Sequence, residues 1–577
     1  MLLFRVFSIP VRFFIALLIY FSWGPLAGGV VTAPVPEFSS PALIPYPSKV
    51  VRGAGEAGFR SVHVKVGPDV PGRDDLMREI KDIFRTSGIQ GSLNSGGAAE
   101  GAMTWELFPD ARMKGEGYDL SVGLGKATVR AGSFGGFFNA LQTLRQLVFN
   151  REGEFAMPVV RISDKPAFVL RGIMLDVGRY YMSPALIKEV MRRLSRYKIN
   201  TLHLHLTDDP AWRLEVKKYP ALTDGAFHWK SRLPGRFYTQ AQLKDLTDYC
   251  ARLNIQVIPE IDMPGHSQPF ARAMKTGMQT EKGVSILKDV VDEAVSLFPG
   301  RFFHMGSDEA HISMKDFIPR MAEHIRGKGK EVVVWSPGGP HDKDSVLMCW
   351  GENEAGARMD KNMKRIDSNG FYIDWADSQS GVYQVFFQQP CEVPQGDDKA
   401  LGAIMPVWCD GNLSSERRVL EQYPFYPCAL TFAERVWRGS ATKRRDYMAQ
   451  LPPRGTDGWK EFREFEQRLA FHRDHFFQGV PFAYVKQADV AWSLVGPFDH
   501  RGKNDTSFEP ERRIAPSYRD GDRILAWKKT PVYGAAVHVR HLFAMFNMHR
   551  NQYRMGHWPT LMSREVGKED GTCYALT

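Results

Sequence analysis

Between about residues 166 and 408 the chain alternates short apolar runs with amphipathic segments. The apolar runs are LRGIMLDV, NTLHLHLT, IQVIPEID, RFFHMGS, EVVVWSP, SVLMCW, GFYIDW and LGAIMPVW. Continuously apolar strands are buried on both faces, and helices between them make neighbouring strands parallel. About eight such units predict an α/β fold with a closed (β/α)8 barrel of the TIM type rather than an open sheet.

The helical segments between the first strands carry their own start signals. Ser183 is a good N-cap, Pro184 follows at the first helical position, and an apolar face begins at Ile187. Similar faces recur in TQAQLKDLTDYCARLN and GVSILKDVVDEAVSLF. After the sixth apolar run the helical pattern is weaker, so the strand positions there rest on the apolar runs alone.

The sequence on either side of the barrel predicts further domains. Residues 33–163 contain the strand-like runs FRSVHVKVG and YDLSVGLGKATVRAG and the helical pattern GGFFNALQTLRQLV, which indicate an α+β domain. Residues 164–477 form the predicted barrel domain. Residues 478–577 are rich in strand and turn patterns and predict a β-type accessory region, whose completeness at the C-terminus is left open.

The first 29 residues have the layout of a secretory signal peptide. Arg5 and Arg12 precede an apolar run that ends near Trp23, and small residues follow. The apolar run is shorter than the ~20 residues of a spanning helix, and an uncleaved anchor is the alternative. We therefore expect an exported protein, periplasmic, secreted or at the cell surface, with no stable membrane span beyond this segment.

Composition narrows the classes of partner and cofactor. The net charge is +10, but the basic residues are scattered and no basic run is interleaved with aromatic residues, so we expect no nucleic-acid partner. The 6 cysteines form no C-x-x-C pair and specify no disulfide framework. Neither glycine cluster follows the dinucleotide pattern, so no cofactor is predicted. The oligomeric state stays open.

Polar and aromatic side chains follow the predicted strands at the end where barrels of this kind carry catalysis. In chain order they are Asp176, Arg179, Asp208, Asp209, Trp212, Glu260, Asp262, His266, Asp308, Glu309, Trp335, Trp350, Tyr372, Asp374, Trp375, Trp408 and Asp410. Aromatic faces stack on the C–H surfaces of pyranose rings, and charged groups make forked hydrogen bonds to hydroxyls. The set predicts a sugar-binding pocket.

Several members of this set also have simpler interpretations. Tryptophans in strands are often core residues, and Arg179 with Asp208 is also compatible with a structural ion pair. His203 and His205 share one face of a strand and raise the alternative of a metal site with the nearby acids, although inward histidines are often packed polar residues. For that reason we predict no metal. The coincidence of all these groups at strand ends favours a catalytic site over the simpler interpretations.

The motifs RGIMLDVGRYYM, NTLHLHLTDDPAWRLE, VIPEIDMPGHSQ, HMGSDEAH and AERVW together resemble the family 20 glycoside hydrolases, the β-N-acetylhexosaminidases. The resemblance covers roughly residues 40 to 440. It implies an exo-acting enzyme without a cofactor, whose partner is a glycan or glycoconjugate with a terminal β-linked GlcNAc or GalNAc, released with retention of configuration.

The resemblance also implies roles for individual residues. Glu309 matches the general acid/base, and Asp308 matches the acid that orients the acetamido group of the substrate. Arg179 matches the arginine that holds the outer hydroxyls of the sugar. Asp208 and His266 match positions that support the catalytic centre.

The remaining matches concern the walls of the pocket. Trp335, Trp350 and Trp408 match the aromatic walls, and Tyr372 matches the tyrosine that bonds the acetamido oxygen, with Asp374 beside it. Asp410 departs from the pattern. The family usually has W-x-E after the last strand, whereas this chain has WCD, which implies a shorter reach toward a sugar hydroxyl.

The adjacency of Asp308 and Glu309 is explained by the mechanism that the resemblance implies. An ordinary retaining glycosidase places a carboxylate nucleophile ~5 to 5.5 Å from the acid, across the sugar. In the family's scheme the acetamido oxygen of the substrate attacks instead, and we expect an ionised Asp308 to raise the pKa of Glu309. Two alternatives are a non-catalytic glycan-binding protein and a glycosidase that uses Glu260 as nucleophile.

Overall fold

The computed structural model describes most of the chain between residues 41 and 484, and five short segments beyond it. The described ranges are 41–94, 98–151, 154–350, 360–373, 380–410, 413–422, 424–441, 455–482, 484, 491–495, 519–520, 523–524, 560–564 and 573–575. The predicted signal peptide and Asp374 lie outside them. Within the described ranges, no helix has both the length and the apolar character that a membrane crossing requires.

An eight-stranded sheet comes first in the chain. Its strands are β1 (Lys49–Phe59), β2 (Ser61–Val66), β3 (Gln90–Leu93), β4 (Ala102–Pro109), β5 (Tyr118–Gly123), β6 (Lys126–Ala131), β7 (Phe149–Arg151) and β8 (Glu154–Asp164). They follow the order β1-β8-β5-β6-β4-β2-β3, with β7 paired to β8. The helix α2 (Phe134–Leu147) packs on β5 and β6, and α1 (Arg73–Ser87) packs against α2. This is the α+β arrangement that the sequence predicts.

Eight parallel strands then close into a barrel. The strands of this region are β9 (Leu170–Asp176), β10 (Thr201–His205), β11 (Thr207–Asp208), β12 (Ala211–Trp212), β13 (Gln256–Glu260), β14 (Phe302–His304), β15 (Glu331–Ser336), β16 (Val346–Cys349), β17 (Lys364–Asp367) and β18 (Ala400–Val407). The barrel order is β10-β13-β14-β15-β16-β17-β18-β9, and β11 and β12 form a separate small hairpin that follows β10. The predicted TIM-type barrel is confirmed.

Three helices of this region, which begin at Pro184, Gln240 and Glu281, lie where the sequence shows helical patterns. The described helices of the region are α3 (Pro184–Ser195), α4 (Gln240–Ala251), α5 (Gln268–Met274), α6 (Glu281–Leu297), α7 (Phe317–Gly327), α8 (Ser380–Phe387), α9 (Arg418–Gln422), α10 (Phe425–Arg438) and α11 (Asp457–Phe476). The hydroxyl of Ser183 accepts a hydrogen bond from the Leu186 N–H at 3.2 Å and caps α3. A capping box of Thr239 and Gln242 starts α4.

The seventh barrel strand is not where the apolar pattern places it. The predicted run GFYIDW begins at residue 370, but the strand is β17, and Tyr372 lies in the connection that follows it. The sequence of β17 is KRID, so a hydropathy pattern passes over it. Arg365 is nevertheless buried, because its guanidinium donates a hydrogen bond to the Lys361 carbonyl at 3.2 Å.

The described segments after residue 490 are short strands. They are β19 (Ala491–Val495), β20 (Arg519–Asp520), β21 (Arg523–Ile524), β22 (Thr560–Arg564) and β23 (Cys573–Ala575). β19, β22 and β23 form one small sheet and β20 pairs with β21. Strands are what a β-type region requires, and most of residues 478–577 lie outside the described ranges.

A buried ion pair connects the first sheet to the barrel. Lys198 precedes β10 and its ammonium donates to Asp164, the last residue of β8, at 3.0 Å. The side chains are 1% and 0% exposed. Asp164 also accepts from the hydroxyl of Tyr118 at 2.8 Å and from the indole of Trp437 at 3.0 Å. Burial lowers the pKa of Lys198, so the charged ammonium depends on the Asp164 carboxylate.

We expect Asp164→Asn to reduce the free energy of unfolding by about 3–5 kcal/mol, because it leaves the buried Lys198 ammonium without its counter-charge. The urea midpoint followed by tryptophan fluorescence measures this loss. Asp248→Asn is the matched control, since it breaks an exposed Lys244–Asp248 pair of 3.1 Å within α4 and should move the midpoint several-fold less. Equal shifts in the two variants would contradict a structural role for the buried pair.

Candidate active site

The last residues of four neighbouring barrel strands lie side by side. His205 at the end of β10 pairs in register with Asp176 of β9 and with Glu260 of β13, and Glu260 pairs with His304 of β14. All four side chains are buried. The loops that follow these strands carry the predicted site residues, so the parallel barrel brings together positions that are far apart in the sequence.

Three carboxylates surround Arg179. Its guanidinium lies 3.2 Å from Asp176, 3.1 Å from Asp208 and 3.2 Å from Asp410. The guanidinium carbon also lies 4.8 Å from the centre of the Trp408 ring. Burial alone would lower the pKa of Arg179, but the three carboxylates outweigh it and raise the pKa. Arg179 is therefore a fixed cation in one orientation, with 16% of its side chain exposed.

A hydrogen-bonded chain of three buried side chains, His205, Glu260 and Trp335, ends at Asp208. His205 Nε2 lies 2.9 Å from Asp208 Oδ2, and His205 Nδ1 lies 2.7 Å from Glu260 Oε2. The indole of Trp335 donates to Glu260 Oε1 at 2.7 Å. Burial would lower the pKa of His205, but the carboxylates of Glu260 and Asp208 raise it. Burial would raise the pKa of Asp208, but Arg179 and His205 lower it to about 2.

Glu260 does not have the geometry of a nucleophile. Its side chain is 0% exposed, and both of its oxygens accept hydrogen bonds. Its pKa lies well below the ordinary value, because the charges of His205 and His304 outweigh burial. This environment disfavours the alternative of a glycosidase with Glu260 as its nucleophile.

Two groups of buried side chains have donor atoms close enough to consider a metal ion. They are His203, Glu260 and His304, and His205, Glu260 and Asp262. In the second group both nitrogens of His205 are already hydrogen-bonded. In the first, the rings of His203 and His304 stack with centroids 4.8 Å apart and 22° between planes, and His203 Nε2 lies 2.9 Å from Glu260 Oε2. Both histidines of the β10 strand thus contact the buried Glu260 carboxylate.

The loop after β14 adopts left-handed backbone angles around the adjacent acids. The φ angles are 68° at Gly306, 88° at Ser307 and 48° at Glu309. A Cβ on Gly306 would lie 1.8 Å from Asp262 Oδ1, so that position accepts only glycine. Non-glycine residues with positive φ are strained and occur where surrounding structure holds them. The tight turn directs Asp308 and Glu309 to their different environments.

Asp308 and Glu309 differ in solvent exposure and in pKa. Asp308 is partly buried, and burial together with the charges of Asp262 and Glu260 raises its pKa well above the ordinary value. The Glu309 side chain is 58% exposed, and the hydrogen bond from His266 lowers its pKa. The expectation that Asp308 raises the pKa of Glu309 is thus wrong. The hydrogen bond and the charge of His266, which lies in the loop after another strand, lower that pKa instead.

His266 lies between two carboxylates. Its Nδ1 is 2.8 Å from Asp262 Oδ2, and its Nε2 is 3.4 Å from Glu309 Oε2. Burial would lower the pKa of His266, but the bonds to Asp262 and Glu309 raise it to about 11. His266 is therefore an imidazolium near neutral pH, and Asp262 fixes which ring nitrogen faces Glu309.

Aromatic side chains border the same region. The Trp408 ring lies 5.9 Å from Trp335 and 6.4 Å from Tyr372, measured between centroids. Trp350 packs in the same cluster and its indole donates to the Pro337 carbonyl at 3.0 Å. Trp335 is only 1% exposed, so it forms the floor rather than an open wall.

One residue at this end of the barrel had no sequence signal. Arg232 lies in the connection after β12, and its guanidinium donates to the Cys409 carbonyl at 2.8 Å and to the Asp410 carbonyl. It therefore fixes the backbone of Asp410, which pairs with Arg179. Nothing in its spacing marks it, because it follows neither a strand end nor a periodic apolar face.

Comparisons with known proteins agree with this architecture. The family profile "Glycosyl hydrolase family 20, domain 2" matches residues 40–165, and "Glycosyl hydrolase family 20, catalytic domain" matches residues 168–282. A solved β-N-acetylhexosaminidase from Streptomyces coelicolor is similar in fold, with a TM-score of 0.65 and 24% identity over 78% of this chain and 98% of that chain. This likeness supports the fold.

Two curated relatives carry the comparison to the family. The chain is 31% identical to a β-hexosaminidase of Porphyromonas gingivalis over 57% of its own length, and it spans only 52% of that relative. It is 30% identical over 454 residues to the β-N-acetylhexosaminidase of Cellulomonas fimi, covering 69% of this chain and 86% of the relative. Together with both family profiles, this places the chain in family 20 of the glycosyl hydrolases.

Proposed function

We propose that the protein is an exo-acting, retaining β-N-acetylhexosaminidase that removes terminal β-linked GlcNAc or GalNAc from glycans. The observation that carries the proposal is the pair Asp308–Glu309 at the C-terminal end of β14. Glu260, the acid that the sequence offers as an alternative nucleophile, is buried with both oxygens hydrogen-bonded. A mechanism in which the substrate supplies its own nucleophile fits this arrangement. Family membership and the Cellulomonas relative support the same activity.

The terminal sugar is held from its outer edge. Arg179 presents a fixed cation, and Asp410 and Asp208 present carboxylates beside it, so this cluster can donate to and accept from adjacent hydroxyls. Trp408 lies under Arg179 and offers an aromatic face to the ring. A pocket that grips the terminal hydroxyls leaves no space for a further sugar beyond them, which accounts for exo action.

The reaction is divided between the two adjacent acids. The acetamido oxygen of the substrate attacks the anomeric carbon while Glu309 donates a proton to the departing glycosidic oxygen. Asp308 accepts a hydrogen bond from the acetamido N–H and stabilises the positive charge of the oxazolinium ring that forms. Glu309 then removes a proton from a water molecule, which attacks the same carbon and restores the β configuration.

Asp308 changes protonation in this scheme. Its raised pKa favours the neutral acid in the free protein. The acetamido N–H and the developing positive charge favour the carboxylate, so substrate binding drives Asp308 toward the ionised form that the reaction needs.

Product analysis on defined oligosaccharides tests the proposed function. With a β-linked GlcNAc trisaccharide we expect monosaccharide release from the non-reducing end, and proton NMR should detect the β anomer first. Internal cleavage would contradict exo action, and an initial α anomer would contradict retention. Binding of the sugars without hydrolysis would favour the glycan-binding alternative.

We also propose that the protein is exported, on the signal-like pattern of residues 1–29 alone. Expression in the native host followed by cell fractionation and N-terminal sequencing tests this. Cytosolic protein with an intact N-terminus would contradict it.

The His266–Glu309 contact predicts a pH effect. The hydrogen bond from the His266 imidazolium lowers the pKa of Glu309 in the free protein, whereas substrate covers Glu309, removes water and raises that pKa. The alkaline limb of kcat/KM reports the free enzyme and that of kcat the complex. We therefore expect the alkaline limb of kcat/KM to lie at lower pH than that of kcat.

The variant His266→Gln should move the alkaline limb of kcat/KM to higher pH. Removing the positive charge lets the pKa of Glu309 rise, so the protonated acid persists to higher pH. His324→Gln is the control, since His324 contacts Asp292 at 2.7 Å on the outer helices. A limb that moves to lower pH, or stays in place, would contradict the assigned contact.

A further inference from the structure

Large apolar side chains are exposed at only a few described positions. They are Val51, Phe108, Leu124, Val169, Trp229, Leu233 and Phe476. Val51, Phe108 and Leu124 belong to the first domain, Val169 precedes β9 at the opposite end of the barrel, and Phe476 ends α11. Trp229 and Leu233, each 38% exposed, belong instead to residues 225–238, which we call the rim segment.

The rim segment is attached to three loops of the catalytic end. The Trp229 N–H donates to the Pro210 carbonyl at 2.9 Å, in the loop that follows Asp208. The Trp229 indole donates to the side-chain oxygen of Gln268 at 3.4 Å. Arg232 reaches the Cys409 carbonyl after β18 at 2.8 Å. These contacts hold Trp229 in place although its ring is exposed.

The attachment is reinforced from inside the fold. Arg213, which is 0% exposed, donates to the carbonyls of Arg232 at 2.6 Å, Leu233 at 2.9 Å and Arg236 at 2.8 Å. A buried guanidinium that donates to three backbone carbonyls between residues 232 and 236 orders the segment. Trp229 is therefore presented by a fixed support, which lowers the entropic cost of using it in binding.

The loop after β13 connects Trp229 to the proposed general acid Glu309. Glu309 protonates the departing oxygen, so the second sugar begins beside Glu309. His266 contacts Glu309 at 3.4 Å, and Gln268, two residues further on, contacts Trp229. The run from His266 to Gln268 thus links the acid to the exposed indole.

We propose that Trp229 is the stacking platform of a subsite for the sugar that follows the scissile bond. This inference rests on the proposed function. The ligand class is an oligosaccharide whose second residue is a pyranose, because an exposed, anchored indole offers an apolar face to the C–H surface of such a ring. Gln268 and Arg272, whose guanidinium donates to Gln268 at 2.9 Å, supply polar groups beside the platform.

The test compares two substrates that share the terminal sugar. A β-linked GlcNAc disaccharide carries a second sugar ring, whereas methyl β-GlcNAc carries only a methyl group. For Trp229→Ala we expect kcat/KM on the disaccharide to fall about tenfold, which corresponds to about 1.4 kcal/mol of binding energy. On the methyl glycoside the loss should be less than about threefold, because methanol does not reach the indole.

Two further variants separate stacking from general damage to the fold. Trp229→Phe keeps an aromatic face and should retain most of the disaccharide activity. Leu233→Ala removes the other exposed apolar side chain of the rim segment, equally exposed at 38%, and should leave both substrates unaffected. Equal losses on both substrates with Trp229→Ala would overturn the subsite, and so would unchanged activity on both.

A binding measurement keeps the subsite independent of turnover. In a Glu309→Gln background, calorimetry with the intact disaccharide should give about tenfold weaker binding when Trp229→Ala is added. Binding of the monosaccharide should not change between the two proteins. An unchanged disaccharide affinity would overturn the subsite. Absence of hydrolysis by the unaltered protein would instead overturn the proposed function.

Discussion

Glu309→Gln should reduce kcat on GlcNAc-terminated oligosaccharides by roughly 10³-fold, within the range that a positioned general acid contributes. The amide preserves the size and the 58% exposure of the side chain but has no proton to give to the leaving oxygen. Substrate affinity should change little, because the sugar is held by the Arg179 cluster. Steady-state kinetics together with direct binding measurements separate the two effects.

Substrates with different leaving groups test whether Glu309 acts as the general acid. Fluoride departs without protonation, so kcat/KM for a GlcNAc fluoride should fall far less than that for a methyl or sugar glycoside. Glu281→Gln, a change to an exposed glutamate paired with Arg320 at 2.7 Å, controls for loss of an acid elsewhere. Equal losses across all leaving groups would contradict the acid role and point to a general effect on the site.

The barrel was predictable because most of its strands are rich in apolar residues and buried. β9 and β18 are buried at every position, and runs of this kind are visible in a sequence. β17 was not predicted because its sequence, KRID, is polar. The buried guanidinium of Arg365 donates to the carbonyls of Lys361 and Cys391, and these contacts exist only in the folded chain. The neighbouring residues 371–373 have the composition of a strand but belong to none of the described strands.

The site was predictable as a list of positions but not as a set of charges. Strand ends are ordered by topology, so Asp308 and Glu309 are placed by the barrel itself. Burial and the charges of Asp262 and Glu260 raise the pKa of Asp308, whereas the hydrogen bond from His266 lowers the pKa of Glu309. These three residues come from another strand and its loop. No spacing in the sequence encodes these contacts, and for that reason the pKa of Glu309 is lowered rather than raised as expected.

The same limit applies to residues that act through the backbone. Arg232 fixes the carbonyls of Cys409 and Asp410 from a segment about 180 residues away in the chain. The contact with the Asp410 carbonyl positions the aspartate that stands where the family usually has a glutamate after the last strand. Asp410 reaches Arg179 at 3.2 Å while Arg232 holds its backbone, so the shorter side chain completes the cluster.

Asp308→Asn should reduce kcat on the natural type of substrate by about 10² or more, the loss expected for a preorganised electrostatic contact. Asparagine can still accept the acetamido N–H, but it brings no negative charge to the oxazolinium ring. Asp316→Asn, an exposed aspartate at the start of α7, is the matched control and should retain activity.

A cyclic thiazoline that mimics the oxazolinium distinguishes this role from simple binding. The unaltered protein should bind the thiazoline far more tightly than free GlcNAc, because the site is complementary to the charged state that forms during the reaction. Asp308→Asn should lose most of that advantage while its affinity for free GlcNAc changes little.

A substrate with a plain 2-hydroxyl should be nearly inert with the unaltered protein, since it lacks the attacking oxygen. Mass spectrometry after treatment with a fluorinated glycoside completes the test. A stable glycosyl adduct on Glu260, with no preference for the thiazoline, would show that a carboxylate rather than the substrate is the nucleophile.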